Sequence, residues 1–522
     1  DSMYDRVSGV SRDSLSASDT NLPQANCIKI IESAIILCCY KYDKSEGRML
    51  FNSFAFVALV VATLCVYYLT FVLRRGWQVY VLIIASFVFY AYGQPWLLLL
   101  LIISASINAF VSYQVMFATT SRQKYLYALG GVVVNLAVLA GFKYSPLFGR
   151  VLEYYTSLSS IGEFLIAIPL PVGISFYTFQ GISLLVDLYR RPDIRSVDSI
   201  NTPVRDFWTH YYKTLFFIAF FPQLVAGPIL KAHEFYPQIR VKYARDIAWI
   251  GALKVIIIGY FLKMVIADNL KDQTFWIAYP YFEAYNTITL AGLLLGYSIQ
   301  IFADFAGYSL IAIGVAKLFG YELPKNFNFP YIARSFSEFW TRWHISLSSW
   351  LKEYLYIPLG GNRKGKARTY VNLMIVMILG GFWHGAALSY MVWGLYHGIL
   401  LVVERFLSQF VRLRECLATH IFKAVFVFAC VSLGWLLFKL NDFSDVLSYL
   451  NKMFLVRSGE MNFMVLLCIL LYTLPIGVYY ANHLLSLRYQ KNFLDSSGVY
   501  AILLFFITTN SGGSNAFIYF QF

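Results

Sequence analysis

Charge is scarce in this chain. Only 13% of its 522 residues are Asp, Glu, Lys or Arg, against 59% hydrophobic and 18% aromatic. A soluble domain carries roughly a quarter charged residues, so a water-soluble fold is excluded at the outset. The period-2 alternation of a transmembrane barrel is also missing, which leaves helices. Cysteine chemistry is thin. Cys27, Cys38, Cys39, Cys65, Cys416, Cys430 and Cys468 form no CxxC pair and show no metal-ligand spacing with histidine, so no metal is expected. Cys65, Cys430 and Cys468 lie inside apolar runs, where a free thiol acts as a small hydrophobe. GxSxG and HExxH do not occur. The stretch Gly360-Gly361-Asn362-Arg363-Lys364-Gly365-Lys366 has P-loop spacing, but Ala367 stands where a Mg²⁺-binding Ser or Thr is needed. It reads as a basic turn.

Apolar runs are what the chain has in plenty. Stretches near the bilayer-crossing length of about 20 residues fall at 50–73, 77–93, 96–119, 125–142, 164–188, 208–230, 247–267, 287–318, 371–403, 420–439, 462–482 and 498–509. Several contain Gly or Pro, so the expected count is about ten to thirteen spans. The net charge of +14 sits in short loops between these runs: Arg74-Arg75, Arg122 and Lys124, Arg190-Arg191, Lys242 and Arg245, and Arg363–Arg368. That is the positive-inside pattern of a polytopic membrane protein, not a nucleic-acid surface. It predicts loops 74–76, 121–124 and 190–206 on the cytoplasmic side, although Lys143 and Arg150 sit in an opposing loop. Residues 1–48 are polar at first, lack the layout of a secretory signal, and precede Met49, which reads as a natural start. They are expected to be a mobile or non-native extension ahead of a single domain, 49–522.

Two runs are broken by Pro and Gly: Leu170–Gln180 and Phe220–Pro228. Irregular backbone at membrane depth is tolerated where protein buries it or where it lines a cavity. The segment 331–358 is different. Trp340, Trp343, Leu347, Trp350, Leu351 and Tyr354 recur at helical spacing with Glu338, Arg342, Lys352 and Glu353 between them. This pattern predicts one amphipathic interfacial or re-entrant helix. It carries His344. Forty residues on, His384 lies between the apolar runs Val371–Leu379 and Ala386–Leu395. Ionisable residues in membrane segments face the protein interior or a water-filled path and mark function.

Five motifs together resemble the membrane-bound O-acyltransferases. They are Asp304–Ser309, Asn326–Tyr331, Glu338–Ser348, Tyr356–Arg363 and Gly380–Ala386. The nearest branch is that of the bacterial alginate and peptidoglycan O-acetyltransferases of the AlgI and PatA types. The resemblance runs from about Met49 to the final Phe522. It implies an all-α polytopic bundle with broken or re-entrant helices, a central tunnel and a catalytic core at about 164–403. His384 matches the family's central catalytic histidine and His344 its second one. A cytosolic acyl thioester and an acceptor from outside would meet in the tunnel.

On this reading the chain is an O-acetyltransferase in the bacterial inner membrane. Acetyl-CoA is the acyl donor and no cofactor stays bound. The acceptor is an envelope or exported polysaccharide, reached through an extracytoplasmic acetyltransferase partner. A neutral imidazole can take a proton from an acceptor hydroxyl, which makes His384 the expected general base. His344 is expected to orient the donor or acceptor. Asn326 and Asn328 are candidates to hydrogen-bond the thioester carbonyl, Asp304 to orient a histidine, and Trp343 and Trp383 to line the substrate path. Arg363, Lys364 and Lys366 are candidates for the phosphates of coenzyme A. Two other readings remain open: a carrier-dependent D-alanyl transfer component of the DltB type, and a transporter. The transporter reading calls for paired inverted repeats, and the sequence offers no convincing repeat.

Overall fold

The computed structural model describes residues 49–512, apart from 74, 94, 156–158, 191–205, 226, 411–413, 415 and 441. The extension 1–48 therefore lies outside the described residues, as do Arg74, Arg191 and most of the loop 190–206. Among the described residues there is no strand, and the elements are helices. In chain order they are α1 (Phe54–Leu73), α2 (Gln78–Ala91), α3 (Pro95–Phe117), α4 (Ser121–Lys143), α5 (Ser145–Tyr155), α6 (Ser159–Ala167), α7 (Ile174–Arg190) and α8 (Phe207–Ala219). There follow α9 (Trp249–Tyr260), α10 (Asp268–Thr274), α11 (Thr287–Leu318), α12 (Phe336–Arg342), α13 (Ile345–Leu351), α14 (Lys366–His384) and α15 (Leu388–Leu407). The chain closes with α16 (Leu417–Lys439), α17 (Phe443–Asn451), α18 (Phe463–Tyr489) and α19 (Ser497–Thr509).

Six helical segments are long and apolar enough to cross a membrane: α3, α4, Trp249–Ile277, α11, α16 and α18. The sequence expectation was higher because the runs 50–73, 77–93 and 498–509 form shorter apolar helices and three others do not form single helices. Run 164–188 breaks between α6 and α7, where Gly173 takes φ 76°. Run 208–230 breaks after α8 at Phe220, followed by the single turn Phe221–Leu224. Run 371–403 breaks at Gly385, between α14 and α15.

Helix α11 is the centre of the bundle. It is apolar on all sides, and 94% of its apolar window is buried, as such a helix requires. It crosses α9 backbone to backbone. A Cβ on Gly259 would lie 2.9 Å from the Gly307 carbonyl, and one on Gly307 2.8 Å from the Gly259 carbonyl. Just beyond this crossing, Phe261–Ala267 widens into a π-helical stretch. Lys263 within it reaches Asp268 at 2.6 Å and Asp304 of α11 at 2.8 Å, all three buried. Pairing of this kind offsets the cost of burying charge at such depth.

Side-chain contacts gather several basic loops at one end of the bundle. Gln78 makes two hydrogen bonds of 2.9 Å with the backbone of Lys242. Gln238 bonds the backbone of Glu322. Lys124 lies over the Tyr189 ring, and Arg190 donates to the Glu353 carbonyl. Lys143, at the far end of α4, is at the opposite end. The fold makes one sharp expectation. Gly259→Val should cost about 1–3 kcal/mol through overpacking, read as a lower thermal midpoint in detergent. Gly141→Ala, with nothing within 4 Å of its added carbon, should leave the midpoint unchanged or raise it.

Candidate active site

The site is built where two helices end inside the bundle. Helix α14 begins at the basic turn and stops at His384, because Gly385 takes an extended conformation (φ −168°, ψ 169°). It packs closely on α15. A Cβ on Gly381 would stand 2.3 Å from the Tyr390 carbonyl, and one on Gly394 2.2 Å from the Met377 carbonyl. Small residues at such crossings let backbones meet, and this explains the Gly380-Gly381 pair beside the histidine.

His344 arrives by a different route. The expected single helix over 331–358 is instead two short ones, whose apolar face is buried against the bundle: Phe339, Trp343, His344, Leu347 and Trp350 are all buried. Ser335 caps α12 by accepting from the Glu338 amide at 2.9 Å. The chain then turns at Trp343, which is extended, and His344, which is left-handed (φ 44°, ψ 53°). A left-handed non-glycine residue costs roughly 1–2 kcal/mol. Asn326 holds the bend. Its Oδ1 accepts from the Ser346 hydroxyl at 2.6 Å and its Nδ2 donates to Ser309 at 3.0 Å. Its carbonyl accepts from the Ile345 amide at 2.9 Å. The Ser346 hydroxyl also accepts from Ile229, at the end of the second broken segment.

The bend brings His344 to His384, with ring centroids 6.4 Å apart and planes at 69°. The rings of Trp383, Trp393 and Phe438 surround His384 at 5.0, 5.3 and 5.1 Å. Phe305 packs on His344 at 4.7 Å. The imidazoles are 1% and 4% exposed. Nδ1 of His344 accepts from the Leu347 amide at 3.3 Å. In the neutral ring its proton is therefore on Nε2, so that edge is a donor.

The remaining sequence candidates divide. Trp343 and Trp383 are buried near the histidines, Trp343 packing on Trp435 at 4.8 Å and Trp383 on Phe179 at 5.4 Å. Asn326 lies beneath His344 with its amide engaged by Ser346 and Ser309. Asp304 pairs with Lys263. Asn328 is exposed. Arg363, Lys364 and Lys366 are exposed at the start of α14, about 27 Å along the helix axis from His384, so the structure does not bring them to it. Two buried groups were not singled out from sequence as part of the site. Lys143 bonds the backbone of His384, and His397 lies 4.9 Å from Trp393. A lysine closing an apolar run was a signal for the first. The apolar context of His397 was the same signal that drew attention to His384.

The chain is thus an all-helical membrane bundle with two buried, facing histidines at helix ends, and comparison with known proteins gives its class. Residues 166–444 match the family model for the membrane-bound O-acyltransferase family. The chain is 37% identical over 394 residues to a peptidoglycan O-acetyltransferase of Helicobacter pylori, covering 71% of this chain and 73% of that one. It is 37% identical over 402 residues to a probable alginate O-acetylase AlgI of Pseudomonas aeruginosa, covering 76% and 72%. A teichoic acid D-alanyltransferase of Bacillus subtilis is 29% identical over 289 residues, covering 52% of this chain and 69% of that one. The chain belongs to the membrane-bound O-acyltransferase family and is a multi-pass membrane acyltransferase.

The two asparagines should separate cleanly. Asn326→Ala leaves buried hydroxyls without their partner, worth about 1–3 kcal/mol, and loosens the bend at His344. It should lower both the thermal midpoint and the turnover rate. Asn328→Ala should leave the midpoint unchanged.

Proposed function

We propose that this chain is an O-acetyltransferase of the bacterial cytoplasmic membrane. It takes acetyl from acetyl-CoA at the face where the basic loops gather and delivers it towards an envelope or exported polysaccharide on the other side. The observation that carries the reading is the His344–His384 pair, held at 6.4 Å by two helix ends that the fold buries. The names of the two relatives at 37% identity, one a peptidoglycan O-acetyltransferase and the other a probable alginate O-acetylase, support acetyl as the group and a glycan as its destination. An extracytoplasmic partner completing the transfer fits the same reading.

In the proposed step His384 takes the proton of an acceptor hydroxyl. The oxygen attacks the thioester carbonyl carbon, the new C–O bond forms and the C–S bond breaks. The proton passes to the departing thiolate, so an ester and a free thiol are the products. His344, with its proton on Nε2, donates a hydrogen bond to the thioester carbonyl oxygen as negative charge develops there. The aromatic walls around both rings keep the medium apolar and strengthen that hydrogen bond.

The test uses purified protein in proteoliposomes. Radiolabelled acetyl-CoA is supplied on the basic face, and candidate glycan and partner on the other. His384→Ala should lower acetyl transfer by about 10²–10⁴-fold, the usual weight of a general base. His344→Ala should lower it by about 10²-fold or more, the weight of one oxyanion donor. Undiminished transfer in His384→Ala would overturn its role as base. If thioester is consumed only when an aminoacyl carrier protein replaces acetyl-CoA, the D-alanyl reading takes its place.

A further inference from the structure

Helix α14 ends at His384 with a problem that the helix itself does not solve. The last four carbonyls of any α-helix, here those of residues 381–384, lack intrahelical donors. The usual remedy is a left-handed glycine that turns the following amides back onto them. Gly385 is extended instead. Donors come from another helix altogether, some 240 residues away in sequence. Lys143, the last residue of α4, donates to the carbonyl of Trp383 and to that of His384, the latter at 3.1 Å. Its neighbour Tyr144 donates to the carbonyl of Phe382 at 2.8 Å. The Tyr144 ring also lies flat on the Phe382 ring, with centroids 4.2 Å apart and planes 1° apart. Three consecutive terminal carbonyls are thus met by two consecutive residues.

We infer that Lys143 and Tyr144 form a helix cap supplied from another helix, and that they act as positioning residues which aim His384. The inference rests on the acetyltransferase reading above. An ammonium has three donor hydrogens and no acceptor. Those of Lys143 go to the two carbonyls and to the Ser175 hydroxyl at 3.2 Å, so none is left for substrate. Lys143 is buried, 7% exposed, and its charge lies at the negative end of the α14 dipole, where a cation is stabilised. It is therefore neither a nucleophile nor an oxyanion donor. Ser175 adds the reason for the break at Leu170–Gln180: the start of α7 meets the same ammonium. One cation thereby ties the ends of α4, α7 and α14 to the backbone of the proposed base. A misplacement of about 1 Å at a reacting group costs about 100-fold in rate, so the orientation of this backbone matters to turnover more than to donor binding.

The experiment compares Lys143→Met, Lys143→Arg, Tyr144→Phe and His384→Ala in the proteoliposome assay, with thermal midpoints in detergent for each. Lys143→Met should lower kcat by about 100-fold while KM for acetyl-CoA stays within about twofold. Lys143→Arg, which keeps charge and several donors, should recover most of that loss. Tyr144→Phe, which keeps the stacked ring and removes one donor, should lower kcat several-fold in a protein that still folds, with a modestly lower midpoint. Wild-type kcat in folded Lys143→Met overturns the inference, and so does a loss confined to KM or one that arginine does not recover. If Lys143→Met does not fold, Tyr144→Phe decides: unchanged kcat overturns the cap and a several-fold drop supports it. Transfer that survives His384→Ala removes the parent reading, whereas transfer lost there but kept in Lys143→Met removes the cap alone.

Discussion

In hydrocarbon a backbone amide or carbonyl has no water to bond, and each one left bare costs several kcal/mol. A continuous helix satisfies this constraint along its length, but a helix that stops halfway does not. Several helix ends are buried within this bundle: α7 begins there, α8 ends there, α12 gives way to α13, and α14 ends at His384. Two of these ends are met by groups from elsewhere in the chain. Asn326 serves the start of α13, and Lys143 with Tyr144 serves the end of α14. The polar residues scattered through the apolar interior follow from this need. The proposed chemistry falls at points where the backbone is already irregular and the polar groups already gathered.

Much of this was legible in the residues. Composition alone excluded a soluble fold, and the apolar runs placed most helices. Broken helices were visible from Pro171, Gly173, Pro222 and Pro228, because those residues disturb a helix wherever they occur. The two histidines stood out because a titratable ring in an apolar run is costly without a purpose. What stayed hidden was long range. Nothing local shows that Lys143 belongs to His384, since the contact spans 241 residues and needs the fold to bring the end of α4 to the end of α14. The bend at His344 was hidden for another reason. Trp340, Trp343, Leu347 and Trp350 keep helical spacing on both sides of it, so the pattern runs on smoothly where the backbone does not. The assignment of Arg363, Lys364 and Lys366 to the phosphates of coenzyme A rested on charge type, and the structure places them exposed at the start of α14.

The relatives and the geometry bear on different parts of the function. Family membership establishes acyl transfer in a membrane. The relatives' names bear on which acyl group and which acceptor. The structure bears on neither of these, but it limits how the transfer is organised. The two imidazoles face one another within a wall of tryptophan and phenylalanine rings. On the proposed reading, a donor from the basic face and an acceptor from the other would meet there away from both solvents, without hydrolysis of the thioester competing.

The bend at Trp343 and His344 has one more consequence. Were both residues to take right-handed helical angles, α12 and α13 would join into one rod from Phe336 to Leu351, which is the shape their side-chain pattern favours. Along a straight rod the direction of each side chain is dictated by its number, and residues 343 and 344 would point about 100° apart at fixed height. The bend frees His344 from that rule. It lets one imidazole leave the face its position assigns and turn towards a residue forty places later. The meeting of the two histidines is thus a departure from helical periodicity, held in place by a buried asparagine that bonds the first turn of α13.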